Sequence, residues 1–151
     1  MKRRDSHFLR PAIGALLLSL ALSGAASAAA NCNILTTGAV AFGPYVWTNP
    51  GPTDSVGTIT YNCNSGAVVY VSAGSSGRAA QRTLLSGANT LDYNLYSDAA
   101  RAQVWGDLSS GGGVPVSQSG KNTLNVYGRI PPGQNVASGT YNDTVTVTFL
   151  F

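Results

Sequence analysis

The chain is 151 residues long, rich in glycine (18) and poor in charge (10%), with 9 basic and 6 acidic side chains. Its formal +3 sits at the N-terminus, in Lys2, Arg3, Arg4 and Arg10 against Asp5; from Asn31 onward Arg78, Arg82, Arg101, Lys121 and Arg129 face Asp54, Asp92, Asp98, Asp107 and Asp143, five against five. A domain with no net charge and no basic stripe is not built for nucleic acid, and the lack of His and Glu after Asn31 removes the usual acid–base players.

The basic start runs into an apolar stretch at 12–22 (AIGALLLSLAL) and then Ala26-Ser27-Ala28. That is the charge, length and A-x-A exit of a secretory signal peptide over residues 1–28, cleaved after Ala28 or Ala30. It is shorter than the roughly 20 apolar residues of a membrane span, so the chain is not expected to span a membrane once cleaved. Residues 31–151 then form one domain of about 120 residues. No cofactor motif or internal repeat is evident. Cys32 and Cys63, the two cysteines, read as a disulfide in an exported chain. Closing a loop of about 30 residues contributes about 3–4 kcal/mol in the chain-entropy model.

Cys32-Asn33-Ile34 opens a strand that 38–43 (GAVAFG) continues or restarts, and Gly43-Pro44 breaks it. Tyr45, Trp47 and Asn49-Pro50-Gly51-Pro52 make a loop. The strand GTITYNC (57–63) puts Ile59, Tyr61 and Cys63 on one face. Asn64-Ser65-Gly66 turns into AVVYVSA (67–73), apolar on both faces, and the two read as a hairpin. A Gly/Ser/Arg loop (74–82) precedes the short strand 83–86 and the alternating TLDYNLY (90–96). A turn at 97–101 leads to a short strand at 103–105, and the glycine-rich 106–119 reads as a mobile loop. TLNVYGRI (123–130) is a strand with Leu124, Val126 and Ile130 on its core face, and Pro131-Pro132-Gly133-Gln134 turns the chain.

The last stretch, GTYNDTVTVTFLF (139–151), alternates strictly. Val145, Val147, Phe149 and Phe151 share one face, and Thr144, Thr146 and Thr148 the other. A long apolar strand at a chain end is an exposed edge unless something pairs with it. About seven short strands with turns between them describe an antiparallel β-sandwich, immunoglobulin-like in architecture.

Several blocks in order carry a family resemblance: Cys32-Asn33-Ile34 with AFGPY (41–45), GTITYNC (57–63), LDYNLYSD (91–98) with VWGD (104–107), VYGRIPPGQ (126–134) and GTYNDT (139–144). Together they resemble the spore coat protein U domain proteins, subunits of archaic chaperone–usher pili, the Csu type among them. The resemblance implies an immunoglobulin-like sandwich lacking its final strand. It implies as partners a periplasmic pilus chaperone, which lends a strand, and an outer-membrane usher, where the N-terminal extension of another pilus subunit replaces that strand. Main-chain pairing would run along 144–151, with donor side chains beside Val145, Val147 and Phe149. The short segment ahead of Cys32 departs from a shaft pilin, which carries a donor of a dozen or more residues there. The expectation is therefore a subunit that accepts a strand, at a fibre tip or outside a polymer.

Other classes were weighed on their residues. A self-contained secreted carbohydrate- or surface-binding module would use Tyr45 and Trp47, with Trp105 a core residue by habit. Asp92, Asp98 and Asp107 could supply a glycosidase carboxylate pair, though aspartates in turns are ordinarily structural. No oxygen-ligand spacing around Asp107 matches a calcium loop, so no metal is expected. The sequon Asn142-Asp143-Thr144 is discounted, and Arg129 and Lys121 read as solvent-facing.

Overall fold

The computed structural model describes residues 29–117 and 119–151, so the expected signal peptide lies outside the described residues. Eight strands form: β1 Cys32–Gly38, β2 Thr53–Cys63, β3 Ala67–Val71, β4 Arg82–Ser86, β5 Asn89–Tyr96, β6 Val114–Val116, β7 Gly120–Ile130 and β8 Val147–Leu150. One five-stranded sheet has the order β1-β2-β7-β5-β4 and a three-stranded sheet the order β6-β3-β8, every pair antiparallel. This is an immunoglobulin-like β-sandwich, as the strand spacing predicts. Among the described residues no helix is long and apolar enough to cross a membrane.

The alternation read from sequence sets the core. Ile59, Tyr61, Leu91, Tyr93, Leu95, Val126 and Ile130 line the inner face of the large sheet, and Val69 and Val71 oppose them from β3. The spine is β2 with β7, eleven residues each, in register from Thr53–Ile130 to Cys63–Gly120. At its lower end the Cys32–Cys63 disulfide ties β1 to β2, with cysteine Cα atoms 4.1 Å apart.

Four local expectations are corrected. β2 and β3 are not a hairpin, because β2 already has β1 on one edge and β7 on the other. The Asn64 side chain is committed to the backbone of Ala29 and Asn31, and the chain crosses to the second sheet. The loop at 106–119 contains β6, whose Pro115 sits opposite Val68; an edge strand tolerates a residue with no N–H to donate. The strand expected at 103–105 is a single bridge, Tyr96 to Val104. The strand expected at 139–151 narrows to β8: Asn142 instead bridges to Leu85 of β4, so the chain leaves one sheet and joins the other between 142 and 147.

An unpaired edge and an apolar groove

β8 ends the three-stranded sheet, with β3 on one side and, among the described residues, no strand on the other. The register pairs Val71 with Val147 and Val69 with Phe149. Just beyond it Ser72 N–H donates to Thr146 O at 2.9 Å, and Thr146 N–H donates to Ser72 Oγ at 2.8 Å. Val71 N–H turns the other way, to Gly106 O. Main-chain groups in an antiparallel ladder alternate in direction. The even residues of the C-terminal strand therefore bond to β3, while the N–H and C=O of Val145, Val147 and Phe149 face the empty edge.

The side chains of those residues turn inward. Val145, Val147 and Phe149 are half-buried against the core, and the Phe149 ring lies 5.4 Å from that of Tyr61. Phe151 follows the last rung of β8 and is exposed. Of the pairing residues read from sequence, three are thus brought onto one edge and the fourth lies beyond it.

Across the gap runs the segment 39–43, expected as strand. It has no ladder partner; its recorded main-chain bond is Ser55 Oγ to Ala41 O, 2.7 Å. It is held by its side chains: Val40 and Phe42 pack on the core, with Phe42 edge-on to Tyr93 at 5.9 Å. Between 39–43 and the C-terminal segment lies a groove of about 1070 Å³, floored by Ile59, Val126, Ile130 and the inner residues of β5. The wall at 142–146 is fixed by Asp143, which accepts from Ser75 N–H, Ser75 Oγ, Tyr93 OH and Thr144 N–H. Burial first, and the carboxylate it donates to second, push the Tyr93 hydroxyl pKa well up. An apolar floor and two edges with free peptide groups suit an extended polypeptide.

Beside the groove the core is sealed by Arg82, paired with Tyr93 across β4 and β5 and fully buried although it falls in what reads as a loop. Its guanidinium donates to Ser72 O, Ala79 O, Asn94 Oδ1, Val71 O and Trp105 O, at 2.7–3.0 Å. That matches the five N–H donors of arginine. Burial lowers its pKa. Neither Arg82 nor Asp143 is marked by periodicity; Asp143 falls in the block 139–144 that resembles the family, whereas no sequence signal marks Arg82.

Tyr45 is half-buried, its hydroxyl donating to Pro131 O and accepting from Gln134 N–H, whereas Trp47 is 50% exposed at the rim of the groove. Trp105 is core, its indole N–H donating to Val69 O. Asp98 accepts from the N–H groups of Ala102 and Gln103, and the Gln103 bond leads in lowering its pKa. Asp107 is held to a pKa of about 2, first by the Ser110 hydroxyl and then by Ser109. Both carboxylates brace their own turns. Arg129, expected in solvent, makes a two-point bond to Asp54 at 2.8 Å.

Sandwich, disulfide and open edge together define an immunoglobulin-like domain with one sheet edge unpaired among the described residues. The chain belongs to the Spore Coat Protein U domain family, whose profile matches residues 17–148. It is similar to Protein U of Myxococcus xanthus, 44% identical over 89 residues, which are 57% of this chain and 49% of that protein. The chain thus spans about half the length of the curated relative it matches. Its fold is similar to a chain in the crystal structure of the CsuC–CsuE chaperone–tip adhesion subunit pre-assembly complex from archaic chaperone–usher Csu pili of Acinetobacter baumannii. That likeness has a TM-score of 0.52 at 20% identity, over 82% of this chain and 40% of the other.

Proposed function

We propose that this domain is an exported structural subunit of a chaperone–usher surface fibre, and that its groove accepts an extended strand from another polypeptide. The observation that carries the reading is the free edge of β8, where Val145, Val147 and Phe149 present peptide groups over an apolar floor. A guest strand laid between β8 and 39–43 would bond to both and add its side chains to the core. The partners on this reading are a periplasmic chaperone during export, an outer-membrane usher at assembly, and a neighbouring subunit in the fibre. Family membership supports it, as does the kind of complex in which the structural neighbour was found. Exposed Val46 and Trp47 favour a contact with an external surface at that end of the domain.

The test is a labelled synthetic peptide of about twelve residues alternating valine and threonine, a generic β-strand guest. Binding measured by anisotropy, with new amide protection at Val147 and Phe149, supports the reading. No binding by the folded, disulfide-bonded domain overturns it.

A further inference from the structure

Residues 39–43 cross the inner face of the large sheet without a ladder, so something other than main-chain pairing must set how deep they lie. Two glycines do. Gly57 on β2 and Gly128 on β7 both face inward, on neighbouring strands, two positions apart in the register: Gly57 pairs with Val126, and Gly128 with Ser55. A methyl group on Gly57 would lie 2.8 Å from Val40 Cγ2, 3.0 Å from Val40 N and 2.5 Å from Gly38 O. One on Gly128 would meet Val40 Cγ1 and come within 2.7 Å of Phe42 Cζ. A single valine therefore sits in a trough made by the two missing side chains, and Phe42 leans on its rim.

Neither glycine has the positive φ recorded for turn glycines such as Gly43 (69°) and Gly133 (79°). Backbone conformation does not call for glycine at either place, and in mid-strand glycine weakens the sheet. The close approach of 39–43 does call for it. Without the trough, Val40 and Phe42 would ride higher, and the space between 39–43 and β8 would fill from one side.

We infer that Gly57 and Gly128 are positioning residues for the groove: they seat 39–43 low enough to leave room for one extended strand. The inference rests on the strand-accepting reading and names what sets the width of that site. Gly57→Ala and Gly128→Ala are expected to weaken binding of the Val/Thr peptide about tenfold or more. The disulfide and a cooperative melt should be kept. Gly51→Ala, where an added methyl meets nothing within 4 Å, should bind as the parent does. Val40→Ala placed in the Gly128→Ala background removes the nearer of the two colliding groups, leaving only the Phe42 ring, whose end can shift, and should restore much of the affinity. The double variant also covers the case in which Gly128→Ala alone fails to fold.

Parent-like peptide binding by both glycine variants would overturn the inference. So would a double variant that melts normally and still binds no better than Gly128→Ala. Failure of the parent domain to bind the peptide would instead overturn the strand-accepting reading, and this inference with it.

Discussion

Two neighbouring regions of this core solve the same problem in opposite ways. Around Arg82, two strands, a loop and the Trp105 segment converge, and each N–H of the guanidinium finds an oxygen. Around the groove, β8 and 39–43 stand apart, their facing peptide groups unpaired by any strand. A free edge leaves a sandwich short of hydrogen bonds along that edge. The Arg82 cluster and the disulfide are what hold the domain together while the groove beside them stays open. Stability is concentrated where nothing needs to enter.

The largest expected effect follows from that contrast. Arg82→Ala leaves buried carbonyls without donors and should cost about 3–5 kcal/mol, read as a lower urea midpoint at unchanged slope. Arg82→Lys, with three donors for five acceptors, should lie between. A loss under about 1 kcal/mol would mean that the Arg82 cluster is not what holds the core together. Reducing Cys32–Cys63, whose partners are separated by 31 positions, should cost about 3–4 kcal/mol; melting unchanged by reductant would contradict this.

Val147→Asp places a carboxylate on the half-buried face of β8. It should cost about 2 kcal/mol and abolish peptide capture, whereas Thr146→Asp, on the exposed face, should do neither. Equal effects would erase the distinction between the two faces of the strand.

The smallest effect is electrostatic. Asp54 has its pKa lowered below 3.8 chiefly by the Arg129 bond, opposed by partial burial and helped by Arg101. A carboxyl depressed in the folded state contributes fully above its unfolded pKa, and the contribution is lost as pH falls through the folded value. Both partners are one-third exposed, so the pair should be worth under about 1 kcal/mol. Asp54→Asn should lower stability slightly at pH 6, and the loss should shrink as pH falls below the ordinary carboxylate range. A loss that does not shrink on acidification would show that packing, not charge, is at stake.

The same contrast separates what was legible in the sequence from what was not. Period-2 runs mark β2, β5 and β7, because each has one face on the core and one toward solvent, and two cysteines in an exported chain mark the disulfide, with which the inward parity of Cys63 agrees. Parity also placed Val145, Val147 and Phe149 on one face. It could not show that β8 is short, since the bridge from Asn142 to Leu85 is a tertiary contact invisible to periodicity. The β2–β3 hairpin failed for a similar reason: local turn chemistry says nothing of which edges are already taken. Residues 39–43 have a strand's composition and no ladder among the described residues, since their place is set by side-chain packing on the core rather than by a neighbouring strand. Arg82 reads as a loop residue since a buried guanidinium is defined by distant carbonyls. Gly57 and Gly128 look like sequence noise until Val40 is seen resting on them.

Amide hydrogen exchange in the isolated, oxidised domain tests the open edge most directly. The account predicts slow exchange at Thr148 and Leu150, which bond to β3, and fast exchange at Val147 and Phe149, which slows when the Val/Thr peptide is added. Strong protection of Val147 and Phe149 in the peptide-free monomer would mean that the edge is already covered, and would contradict the account.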